Sequence, residues 1–190
     1  MNTKALAAII VFAALTVALN PAISGIGVPA PYALFLIYGL WEIPIVAAFL
    51  LISPAAGLLI SVLNAVVLFG FFPGALPTGP FYNLIAIFSM LLGVYLGRRL
   101  FTAKPIQGKR VVQVAAASTV LGLVFRVMVM TLVNYATLGQ GPPIGFGLSQ
   151  LTIFAYLPLI ALFNGTVVLY TVPLGEFIAD VVKSRTRFKT

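Results

Sequence analysis

Apolar residues fill six long blocks of this chain, set apart by short stretches rich in Gly and Pro or in basic residues. A helix rises 1.5 Å per residue and needs about 20 apolar residues to cross a bilayer, so each block predicts a membrane span. The first runs over 4–20 and stops at Asn20-Pro21, with a Gly/Pro-rich loop to Pro31. The second covers 32–52 and the third 55–72, with only Ser53-Pro54 between them as a tight hairpin. A Pro/Gly loop over 73–80 leads to the fourth span, 81–97, and a basic connector over 98–110 leads to the fifth, 111–135. After a Gly/Pro loop at 139–147, Ser149 to Val182 would reach about 50 Å as one helix, well beyond a hydrocarbon core of about 30 Å. That stretch therefore divides into a surface segment near 148–157 and a sixth span from Pro158 to Val182. The first block follows Lys4, but it is long for a secretory core and no A-x-A site follows it, so it reads as a retained helix.

Charge gives the blocks a direction. Basic residues gather at Lys4, from Arg98 to Arg110 and from Lys183 to Lys189, while the alternate gaps carry no charge. This is the positive-inside pattern, which puts both termini and the 98–110 connector in the cytoplasm and 21–31, 73–80 and 136–148 outside. The expectation is an all-α, polytopic protein of the cell membrane, with six transmembrane helices in a single membrane-embedded domain over 1–190. A composition 62% hydrophobic and 7% charged, with mean hydropathy +1.16, agrees. The +8 charge sits at span ends and forms no basic stripe with interleaved aromatics, so it points to anionic lipid or a cytosolic partner and not to nucleic acid. With no Cys, no His and only Glu42, Glu176 and Asp180 as acids, thiolate chemistry, a metal cage and a hydrolytic triad are not expected, and the chain does not read as an enzyme.

Orientation turns polar residues into depths. Asn134, Asn164, Asn83 and Asn64 lie on four different spans, all within about 12 Å of the expected outer boundary, with Tyr82, Tyr135, Thr166 and Gln150 close by. Amides buried in hydrocarbon need partners. They either bridge neighbouring helices or line a pocket open to the outside; four at one depth favour the pocket. Glu42 and Arg126 fall at matching depths and predict an ion pair, with direct ligand contact by Arg126 as the alternative. Glu176 and Asp180, four residues apart beside Lys183, Arg185 and Arg187, read as a solvated ion-pair face. Ala14 and Ala18 form a small-xxx-small pair that permits close approach of another helix.

Three stretches carry a resemblance: Trp41-Glu42-Ile43-Pro44 with Phe49 to Asn64, then Met130-Thr131-Leu132-Val133-Asn134-Tyr135, then Leu162-Phe163-Asn164-Gly165. Together, loosely gapped over 30–185, they resemble the substrate-binding S components of energy-coupling factor vitamin transporters, in particular the riboflavin type. The resemblance implies six helices, cytoplasmic termini and a vitamin site near the outer face. It also implies that Asn134 and Asn164 contact a flavin ring and that small residues on the first helix, as in Ala14-xxx-Ala18, meet a transmembrane coupling subunit. Two cytosolic ATPase subunits complete such systems. Asn83, Tyr82, Asn64, Arg126 and Glu42 join Asn134 and Asn164 as candidate substrate-binding residues. Val167 stands where the family carries a Lys, and Glu42 where it usually carries Asp. The chain has no GxxxxGK[ST] phosphate loop, so energy for transport would come from those ATPases. No resident cofactor is expected; riboflavin or a related vitamin is cargo. The other readings are an S component for a different small heterocycle, a non-transporting membrane scaffold and an autonomous carrier.

Overall fold

A computed structural model describes residues 3–71, 76–100 and 109–186. Parts of the expected 73–80 loop, 98–110 connector and basic tail lie outside the described residues. In chain order the elements are α1 (Thr3–Ala18), α2 (Pro21–Ser24), β1 (Val28–Ala30), β2 (Ala33–Tyr38), α3 (Glu42–Leu51), α4 (Pro54–Phe71), α5 (Gly79–Arg99), α6 (Lys109–Thr137) and α7 (Gln150–Thr186). The protein is mostly helical and of polytopic membrane type. Four helices (α4, α5, α6 and α7) are long and apolar enough to cross a membrane, while α1 has 16 residues and α3 only 10.

Two expectations need correction. The chain is not all-α, because β1, in the expected 21–31 loop, pairs antiparallel with β2, at the front of the expected second span, with Val28 opposite Tyr38 and Pro29 opposite Ile37. Ala-Leu-Phe-Leu-Ile-Tyr at 33–38 is rich in β-formers and sits between Pro31 and Gly39, which leaves no room for a helix to start. The second correction is at the C-terminal end. The surface segment and sixth span are one 37-residue helix, with Pro158 and Pro173 inside it. Its first turns are held by packing: Ile153 and Ile160 bury against Leu138, with Leu36 and Leu148 alongside. That contact offsets the backbone hydrogen bond that Pro158 cannot make. At about 55 Å the helix outruns the hydrocarbon core.

The fold is organised around α3. Nine of its ten residues are buried, from Glu42 to Phe49 and again at Leu51. A helix that is apolar all round belongs in a core, which accounts for a block too short to span. Ile45, Val46, Ala47 and Ala48 pack with Ile60 of α4, Met90 and Val94 of α5, and Val168 and Val172 of α7. The α5–α6 contact is closer still. A Cβ at Gly97 would lie 2.7 Å from the Ser118 Cα, and one at Gly93 would strike the Leu121 carbonyl, so only Gly allows these backbones to meet.

The helix ends form two unlike poles. At one, the β1–β2 hairpin, the turn before α5 and the loop between α6 and α7 close over the bundle. Thr78 Oγ1 donates to the Pro143 carbonyl at 2.5 Å and Tyr82 Oη to the Ile144 carbonyl at 2.6 Å. Phe35 of β2 packs on Phe146 and Tyr156, with ring centres 5.6 and 5.5 Å away. At the other pole, Arg98 and Arg99 end α5 and Lys183 and Arg185 end α7.

Candidate functional site

Beneath the loop cap, Arg126 of α6 is 3% exposed and uses all three guanidinium nitrogens. Its Nη1 donates to Glu42 Oε2 and its Nη2 to Glu42 Oε1 at 2.9 Å, a two-pronged pair with the first residue of α3. Nε donates to Asn164 Oδ1 of α7 at 2.9 Å, and Nη1 also faces the Met90 sulfur of α5 at 3.7 Å. One side chain thus ties four helices together. Glu42 sits at the N-terminus of α3, where the helix dipole favours a carboxylate. The fork of Arg matches the carboxylate edge, so the buried charges meet with their hydrogen bonds made. The ion pair expected from matching depths is present. Asn164 completes its own bonding by donating Nδ2 to the Ile160 carbonyl at 2.9 Å.

Two chambers open on either side of this group. The first, about 160 Å³, has Tyr82, Asn83, Asn134 and Asn164 as polar lining and Phe35, Phe146 and Phe163 as aromatic walls. The second, about 350 Å³, is lined by Asn20, Trp41, Glu42, Val167 and Tyr170. Phe35, Leu36, Asn83, Arg126 and Phe163 border both, so Arg126 stands at their junction. Asn134 also donates Nδ2 back to the Met130 carbonyl at 2.7 Å, which holds its amide plane against α6.

The hairpin is fastened to this site by hydroxyls. Tyr38 Oη lies 2.6 Å from Tyr32 Oη and 2.8 Å from Thr166 Oγ1 of α7, and its ring packs on Phe163 at 4.7 Å. Desolvation, reinforced by the hydrogen bond and the charge of Tyr38, pushes the Tyr32 hydroxyl up to about 12. Tyr170 Oη donates to the Gly39 carbonyl at 2.7 Å, closing the far end of the second chamber.

Of the candidate substrate-binding residues, six therefore converge: Asn134, Asn164, Asn83, Tyr82, Arg126 and Glu42. Asn64 does not. It is buried at 2% exposure on α4, outside the walls of both chambers, and its Oδ1 has no hydrogen-bond partner. Tyr135 turns away to pack on Phe154. Glu176 pairs with Arg98 of α5 across the bundle at 3.3 Å, a half-exposed pairing between helices where one along α7 was expected. Ala14 and Ala18 are exposed, since α1 turns Ile9, Phe12 and Thr16 inward.

Sequence reasoning did not single out Phe35, Tyr170 or Asn20. Phe35 lay in a segment read as helix. Tyr170 was legible: Phe163, Val167 and Tyr170 recur at i, i+4 and i+7, one stripe of α7 facing the chambers. Asn20 was read only as a helix stop. It does cap α2, accepting from the Ala22 amide at 3.1 Å, and it also borders the second chamber.

No protein-family model matches the chain, and no curated protein sequence aligns with it significantly. Solved structures do match. One, described as "Structure and mechanism of the S component of a bacterial ECF transporter", superposes with a TM-score of 0.69 over 96% of this chain and 99% of that chain, at 21% identity. The two proteins share a fold.

Proposed function

We propose that this protein is the substrate-capture component of an energy-coupling factor importer, binding riboflavin or a related planar heterocycle in the chambers around Arg126. The observation that carries the reading is a pair of amide- and aromatic-lined chambers, closed by loops, in a fold shared with an S component. Flat heterocycles offer donors and acceptors on their edges and π faces above and below. Asn134 and Asn83 supply the first kind of partner, and Phe35, Phe146 and Phe163 the second. Arg126 is already neutralised by Glu42, so it acts here as a rigid post that fixes Asn164. Asn64 takes no part in binding in this reading. The capped pole faces outward and the basic pole the cytoplasm, in line with the distribution of Lys and Arg. The exposed Ala14-xxx-Ala18 face of α1 offers a close-packing surface to a coupling subunit, through which ATPases would drive release.

Titration calorimetry with riboflavin on the protein in mild detergent tests the ligand, and a visible absorption band in the purified protein would report flavin carried through. Val167 is buried at 3% exposure on the second chamber's wall, where riboflavin-type members are expected to carry Lys. This favours, as a second reading, a heterocycle with no acceptor at that point. If riboflavin is the ligand, Val167→Lys is expected to keep or tighten binding. No heat with riboflavin, but heat with another heterocycle, would retain the S-component role and discard the flavin. Orientation is tested by Gly141→Cys and Ser184→Cys, which impermeant reagents should label from opposite sides of the membrane.

A further inference from the structure

The basic pole holds a cavity of about 530 Å³ between the α3–α4 turn, α5 and α7. Arg98, Arg99 and Lys183 line it, together with Ser53 and the Tyr95 ring, while Glu176 and Asp180 line the adjoining cavity that shares Arg98 and Lys183. Its floor is apolar, formed by Phe49 to Ile52. The N-terminus of α4 opens onto it at Pro54, with Ser53 Oγ accepting from the Ala56 amide at 3.2 Å, and this adds partial positive charge. Above it on α5, Phe88, Leu92 and Tyr95 are 37%, 50% and 41% exposed. With Arg99 they recur at spacings of four, three and four, so one face of α5 carries an apolar track that ends at the cations.

We propose that this cavity is a headgroup site for one anionic phospholipid, whose phosphate sits among Arg99, Lys183 and Arg98 and whose acyl chain follows the Phe88–Leu92–Tyr95 track. The charges lie in the final turns of α5 and α7, where membrane-spanning helices reach the headgroup layer. An apolar track leading to a cationic cavity suits a lipid, whereas a free phosphate ion would use only the cations. Arg98 keeps its bond to Glu176 and supplies the remaining edge of its guanidinium. The site is independent of the chambers at the other pole and of what they bind.

Native mass spectrometry of the full chain in detergent micelles tests the proposal, with dioleoylphosphatidylglycerol, dioleoylphosphatidylcholine and inorganic phosphate as probes. One phosphatidylglycerol is expected to stay bound per chain, with phosphatidylcholine and phosphate unable to displace it at the same concentration. Arg99→Gln and Lys183→Gln should each weaken retention about fivefold, and together about 25-fold. Arg99→Lys and Lys183→Arg should keep it, as should Lys4→Gln, a change of equal charge away from the cavity. Equal retention of phosphatidylcholine, displacement by phosphate, or the same loss with Lys4→Gln would each overturn the site. If the double variant does not fold, the single variants decide the matter.

Discussion

Among the described residues are two Arg–Glu pairs, and they differ in almost everything except chemistry. Arg126–Glu42 has side chains 4% and 5% exposed, two prongs, and a third bond to Asn164. Arg98–Glu176 is 39% and 12% exposed and makes one contact at 3.3 Å. The first lies where α3, α5, α6 and α7 converge beneath the cap. The second lies at the mouth of the basic pole. Burial decides what each pair can do. Deep charges must be matched wherever the chain folds, so the inner pair fixes helix register and holds an amide in place. Charges near water can exchange partners, so the outer pair can share Arg98 with an incoming anion.

The sharpest break of this contrast is Glu42→Gln, which strips the buried Arg126 of its neutralising carboxylate and of one prong of the pair. A loss of about 3–5 kcal/mol of stability is expected, enough to lower the yield of folded protein. Removing both charges, as Glu42→Leu with Arg126→Met, should recover most of that loss, because no charge is then stranded. Thermal unfolding in detergent measures both. A double variant as unstable as the single one would show that the pair contributes through its hydrogen-bonded geometry and not merely through neutrality.

A smaller effect separates the pair from the chamber it supports. Asn164→Leu deprives Arg126 Nε of its acceptor and is expected to cost about 1–3 kcal/mol in stability as well as ligand affinity. Asn134→Leu touches only the chamber and a local bond to the Met130 carbonyl, so affinity should fall roughly 5- to 150-fold while the unfolding temperature barely moves. Calorimetry beside thermal unfolding reads the two together. Equal destabilisation by both changes would place Asn134 in the helix-bridging role instead.

The Arg126–Glu42 pair was legible from sequence because depth along a helix is linear in residue number, and two buried charges at one depth have few other options. The amides of α5, α6 and α7 were legible for the same reason. Asn64 shared their depth and still lies elsewhere, because depth fixes height in the bundle but not the direction in which a side chain points. The hairpin was missed because Ala33–Tyr38 is as apolar as a span, and only its flanking Pro31 and Gly39 distinguish it. The unbroken α7 was missed because two prolines and excess length both argue for a break. The packing of Ile153 and Ile160 on Leu138, which opposes one, is a long-range contact that no local pattern reveals.

The smallest effect is expected at the outer pair, and it completes the contrast. Arg98→Gln or Glu176→Gln removes one contact at a half-exposed site, and such pairs contribute about 0–1 kcal/mol. A shift of no more than a few degrees in unfolding temperature should follow, shrinking further as salt is raised, because mobile ions screen charges that reach water. The inner pair should show far less salt dependence, its side chains being 4% and 5% exposed. Unfolding temperatures at low and high ionic strength, for the native chain and for Arg98→Gln, measure this directly. If Arg98→Gln proved as costly as Glu42→Gln and indifferent to salt, the two pairs would be doing the same structural job. Arg98 would then be held too firmly to share with an anion, and the difference in burial would have lost its meaning.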